Sequence, residues 1–134
     1  MKKTGIWIDK RVAKILTLDD DVEKFETIES DIDEYRPKGG SGTRMKGGPQ
    51  DVVQDSKYLE REKHQYKGYF KLIADTIKGS DAIVIFGPAQ TGEKLNNELA
   101  KSYPDLFAKV KDHKNADSMT DNQIKAMIRD FFAG

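Results

Sequence analysis

Ala82-Ile83-Val84-Ile85-Phe86 is an unbroken apolar run of strand length, closed by Gly87-Pro88. A strand that faces water on one side alternates apolar with polar residues; one without alternation is buried on both faces. Such a strand sits inside a sheet, and the segments around it must then supply helices. Upstream, residues 52–78 place Leu59, Tyr66, Phe70, Ile73, Ala74 and Ile77 on one helical stripe that strengthens toward the C-terminal end, with Gly79 as the stop. Downstream, a helix over about 91–102 turns Leu95, Leu99 and Ala100 inward.

The remaining segments complete an α/β order. Residues 4–9 and 11–18 are rich in β-branched and aromatic residues and read as a hairpin turning near Asp9–Arg11. Residues 22–29 are expected to add a third strand after the Asp19–Asp21 turn, although Val22, Phe25 and Ile28 also fit a helical spacing. Pro104 precedes another strand candidate at 106–111. Thr120-Asp121-Asn122-Gln123 is a capping box with Met119 and Ile124 as its staple, opening a helix to Phe132 that buries Ile124, Met127, Ile128 and Phe131. The order β-β-β-α-β-α-β-α predicts a single domain over 1–134 with a mixed five-stranded sheet, like ribonuclease-H-like and translational-machinery-component domains.

Between third strand and first helix lies a stretch unlike the rest. Residues 36–50 read Arg-Pro-Lys-Gly-Gly-Ser-Gly-Thr-Arg-Met-Lys-Gly-Gly-Pro-Gln, with five glycines, four cations and no carboxylate. Glycine runs lose the most backbone entropy on ordering, so a flexible loop over about 30–51 is expected. Arg36, Lys38, Arg44 and Lys46 suit a polyanionic partner, and Gln50 can offer a carbonyl, an amide and a backbone N–H at the loop's end. The early helix, with Arg61, Lys63 and His64, is mostly charged and is expected to project beyond the core.

From Gly47 to Tyr66 the chain resembles the middle domain of class I translation release factors and of Pelota. In that family a Gly-Gly-Gln loop runs into a long helix carrying an Arg/Glu/Lys-rich segment. Gly47-Gly48-Pro49-Gln50 followed by Arg61-Glu62-Lys63-His64-Gln65-Tyr66 is similar, as is the fourteen-residue step from Gln50 to His64. The strand, turn and helix from Ala82 to Leu95 also match the family's order, and the stand-alone bacterial and archaeal release-factor-like proteins are included in the likeness. The resemblance implies binding to ribosome or tRNA through Arg36, Lys38, Arg44, Lys46, Gly47, Gly48, Arg61, Lys63 and His64. It also implies that Gln50 places water on the ester of peptidyl-tRNA, with no cofactor. One domain leaves none to read a stop codon, so ribosome rescue or an inactive adaptor is the implied role. Pro49 departs from the family pattern: it removes a backbone donor and disfavours the α region for Gly48. The rival reading is an interaction or regulatory protein on the same fold that binds no RNA.

Other chemistries fit poorly. Lys plus Arg and Asp plus Glu both number 23, so a nucleic-acid contact must come from local charge; the first 35 residues are acid-rich and would repel phosphate. With no cysteine there is no thiolate metal site or disulfide, and the two histidines, His64 and His113, lack metal-ligand spacing. Gly87-Pro88-Ala89-Gln90-Thr91-Gly92-Glu93-Lys94 is no phosphate loop, because Glu93 intervenes and Leu95 replaces the hydroxyl. Asp9 reads as a turn residue rather than a metal ligand, and Trp7 as core. No signal peptide or membrane span is apparent, and no DNA partner is expected; the reading is a cytoplasmic protein.

Overall fold

The computed structural model describes residues 1–30, 48–88 and 90–133, with 48–59 described by backbone alone. Its elements are β1 (Lys2–Ile8), β2 (Val12–Asp19), β3 (Val22–Glu29), α1 (Gly48–Ile77), β4 (Ala82–Gly87), α2 (Thr91–Ser102), α3 (Pro104–Phe107), β5 (Val110–Asn115) and α4 (Asp121–Ala133). The five strands form one mixed sheet in the order β3-β2-β1-β4-β5. β1, β2 and β3 are an antiparallel meander, whereas β4 runs parallel to both β1 and β5. The expected fold class holds. β4, all six residues of it buried, lies between two partners, and β1 takes the middle of the sheet.

Alternation along the strands sorts the core into two layers. Ile6, Ile8, Ile15, Ile83 and Ile85 face Tyr69, Phe70, Ile73 and Ile77 of α1 and Leu95 and Leu99 of α2. Trp7, Leu16, Val84 and Phe86 face the other way, onto Ile124 and Ile128 of α4. A helix thus covers each face of β4, which is why its sequence shows no polar alternation. Gly5 lets α4 come close: a Cβ there would lie 2.4 Å from Ile128 Cγ2. The Trp7 indole N–H donates to the Asp117 carbonyl at 3.2 Å, so this core residue also ties down the approach to α4.

Local chemistry sets the element ends. Asp9 accepts the N–H groups of Arg11 and Val12 through Oδ1, each at 2.8 Å, and so closes the β1–β2 turn. The capping box at α4 forms in both directions: Thr120 N–H donates to Gln123 Oε1 at 2.9 Å, and Gln123 N–H to Thr120 Oγ1 at 3.2 Å. Gly79 takes φ +84° just past α1, a left-handed stop.

Some details differ from the sequence reading. The strand expected at 106–111 begins instead at Val110, because Pro104 opens a one-turn helix, α3, that uses up residues 104–107. α1 begins at Gly48 rather than at 52, which brings Pro49 and Gln50 into its first turn. The bias of a proline against helix in the preceding residue is therefore overridden at Gly48. Ala100, next to the inward Leu99 on α2, is exposed, since the buried stripe of that helix is narrow. Met127 and Phe131 of α4 are half-buried against the second core layer rather than fully enclosed. Among the described residues no helix is long and apolar enough to cross a membrane.

Candidate nucleic-acid interface

The described side chains of α1, from Glu60 onward, fall into an exposed stretch and a buried one. Tyr69, Phe70, Ile73, Ala74 and Ile77 are buried, whereas most residues between Glu60 and Gly68 are exposed. Two contacts fix where the helix passes the β1–β2 turn. The Tyr69 hydroxyl donates to the Asp9 carbonyl at 3.1 Å, and the Lys10 ammonium meets Glu62 at 2.8 Å. Burial, reinforced by the nearby Asp9 charge, pushes the Tyr69 hydroxyl well above the ordinary phenol range, so it stays a neutral donor. N-terminal to Glu62, α1 has about fourteen further residues, or roughly 20 Å at the helical rise.

The same turn also holds the end of β3. Ser30 Oγ donates to the Lys10 carbonyl at 2.6 Å, and Ser30 N–H donates to the Arg11 carbonyl at 2.8 Å. The chain therefore leaves the sheet at Ser30, beside the α1 anchor, and re-enters a described element at Gly48, the far end of α1. Arg36, Lys38, Arg44, Lys46 and Gly47 lie outside the described residues. Gly48 and Gln50 are placed by backbone only, in the first turn of α1.

Arg61, Lys63 and His64 are exposed on α1 as expected, and two of them share a groove. Lys63 and His64 line a cleft of about 650 Å³ between α1 and α2, together with Tyr66, Lys67 and Phe70 of α1 and Lys94 and Lys101 of α2. Arg61 does not line it. Tyr66 packs on Phe70 with ring centroids 5.4 Å apart, and the Lys94 ammonium sits 4.6 Å from the Tyr66 ring centroid. The acidic lining is Glu60, Glu62 and Glu98; Glu62 is held by Lys10, and Glu98 accepts the Ser102 hydroxyl at 2.8 Å. Lys67, Lys94 and Lys101 were not singled out from sequence as site residues. Their i,i+4 and i,i+7 relations place Lys63 with Lys67 and Lys94 with Lys101, yet nothing linear relates one helix to the other.

Asp9 spends its carboxylate on the turn, and among the described residues no group of three or more His, Asp or Glu could hold a metal ion. At the β4–α2 turn Thr91 and Gly92 are buried, and a Cβ on Gly92 would come within 2.8 Å of His113 Nε2. The start of α2 is thus packed on its inner side.

No family model matches the sequence, and no curated protein matches it. Solved structures do match the fold. Pelota of Archaeoglobus fulgidus superposes with a TM-score of 0.58 at 9% identity, over 96% of this chain and 31% of that one. An archaeal translation termination factor, aRF1, superposes with a TM-score of 0.52 at 11% identity, over 93% of this chain and 32% of that one. The chain thus spans about a third of the length of either neighbour. At such identity the likeness is one of fold.

Proposed function

We propose that this chain is a release-factor-like domain, equivalent to the middle domain of Pelota and aRF1, that works on the ribosome. It binds ribosomal RNA or tRNA through the 36–50 segment and the exposed turn Arg61–His64, in the cytoplasm where ribosomes are found. Gln50 then supports hydrolysis of the peptidyl-tRNA ester. What carries the reading is the length of α1: a thirty-residue helix whose C-terminal part is buried in the core and whose first turn holds Gly48-Pro49-Gln50. A long helix is what a domain needs to present a glutamine at a distance from its own core. Glutamine is neither acid nor base at neutral pH, so its contribution is water placement and hydrogen bonding in a centre that the ribosome supplies. The likeness of fold to two translation proteins agrees with this assignment.

The test is co-sedimentation with ribosomes at two salt concentrations. Binding that weakens steeply with salt, and that weakens further when Arg36, Lys38, Arg44 and Lys46 are all changed to Ala, is the expected result. Absence of co-sedimentation, or binding indifferent to salt, overturns the proposal in favour of a partner other than RNA.

A further inference from the structure

The α1–α2 groove contains an arrangement that the loop-centred proposal does not use. Lys63 and Lys67 are one helical turn apart on α1, and Lys94 and Lys101 lie along the facing side of α2. All four are exposed, and among the described residues none lies within ion-pair distance of a carboxylate. Elsewhere Lys10, Lys14, Lys24, Lys71 and Lys114 have acidic partners, while Lys3, Lys78, Lys111 and Lys125 stand without an ion pair among the described residues but line no common cleft with one another. Unpaired ammonium groups concentrated in one cleft repel one another and gain by meeting an anion.

The acidic members of the lining do not cancel this. Glu62 is turned to Lys10, which comes from the β1–β2 turn outside the groove, leaving Glu60 and Glu98 against four lysines. Lys94 is also pre-positioned. Its ammonium is held 4.6 Å from the Tyr66 ring centroid, and Tyr66 is in turn fixed against Phe70. A cation set in place by a ring loses less side-chain entropy on meeting a phosphate than a free lysine does. A positively charged cleft with an aromatic side chain in its wall is the usual form of a track for a nucleic-acid backbone.

We propose that the α1–α2 groove is a second RNA-backbone site, in which Lys67, Lys94 and Lys101 join Lys63 in contacting the phosphodiesters of a single RNA strand. The inference rests on the reading of this domain as one that acts on RNA, and it adds a contact surface remote from Gln50. The groove holds the backbone of the strand while the tip of α1 reaches past it.

A fluorescein-labelled single-stranded RNA of about twenty nucleotides is titrated with the protein at several salt concentrations, following anisotropy. Changing Lys67, Lys94 and Lys101 together to Ala is expected to flatten the log–log salt dependence by about 2, at roughly 0.7 for each single-strand phosphate that is no longer neutralised. Changing Lys71, Lys78 and Lys111 to Ala removes the same charge outside the groove and should leave the slope near wild type. An unchanged slope in the groove variant, or an equal fall in both variants, overturns the proposal. Poly-glutamate that competes with the RNA at equal charge overturns it too, since the groove would then accept any polyanion. These results stand apart from ribosome co-sedimentation. Loss of co-sedimentation with the groove effect intact removes the ribosome reading and leaves the RNA site, whereas co-sedimentation with no groove effect does the reverse.

Discussion

The Tyr69 hydroxyl, on the buried face of α1, donates to the backbone carbonyl of Asp9 at 3.1 Å, seven residues C-terminal to the point where Glu62 meets Lys10 at 2.8 Å. Together the two contacts clasp α1 to the β1–β2 turn. The clasp helps to fix the direction of α1 relative to the sheet. Tyr69→Phe keeps the ring and deletes the donor, and is expected to destabilise the fold by about 1 kcal/mol in urea denaturation. If ribosome binding depends on where α1 points, Tyr69→Phe combined with Glu62→Gln weakens co-sedimentation at protein concentrations where both variants are still folded by circular dichroism.

Gly5 and Gly79 make opposite demands, and alanine at each separates them. At Gly5 an added Cβ would meet Ile128 Cγ2 at 2.4 Å, so Gly5→Ala should push α4 off the sheet and cost about 1–3 kcal/mol. Adding Ile128→Val, which gives back part of that volume, should recover some of the loss. At Gly79 a Cβ has open space, the nearest atom being Lys2 Nζ at 3.9 Å, but φ is +84°. Gly79→Ala therefore costs about 1 kcal/mol from backbone strain alone, and no change in neighbouring side chains should relieve it. Chemical denaturation of the three variants checks both statements.

Acid should weaken the N-terminal edge of β1 through Asp81. Its carboxylate accepts the Lys2 backbone N–H at 2.8 Å, and this bond holds its pKa below the ordinary aspartate value, with Lys109, the N-terminus and Lys2 adding smaller effects. A depressed folded-state pKa means that the contribution is complete above the unfolded value of about 4 and is lost as pH falls through the folded one. Asp81→Asn is therefore expected to melt below wild type at pH 7, with the gap narrowing as pH drops below about 4. A gap that stays constant with pH would assign the effect to packing instead of charge.

What the sequence revealed, and what it hid, follows from how local each signal is. The buried run 82–86, the capping box at Thr120–Gln123 and the stop at Gly79 each depend on residues within one element, and each stands where expected. β5 was displaced for the opposite reason. Val110-Lys-Asp-His-Lys-Asn carries little apolar pattern, and it is a strand because its backbone pairs with β4. Residues 106–107, apolar and β-compatible, were taken by α3 once Pro104 opened a helix. The groove could not be read at all. Lys94 and Tyr66 are 28 positions apart, and only the packing of α2 beside α1 brings them to 4.6 Å.

The proposed hydrolysis rests on Gln50. α1 begins at Gly48, so Pro49 occupies a first-turn position, where an N–H would have no acceptor within the helix. Proline is well suited to such a place, and its rigid φ favours the helix start. For the proposed hydrolysis it leaves one fewer backbone donor beside the glutamine. The assay is release of a labelled nascent peptide from stalled ribosomes. Wild-type protein is expected to release peptide, and Gln50→Ala to lower the rate about a hundredfold, the scale on which loss of a hydrogen-bonding group at a reacting carbonyl is felt. Release that survives Gln50→Ala excludes the mechanism. A wild type without activity, paired with release gained on deleting Pro49, would identify the proline as what holds the glutamine out of use.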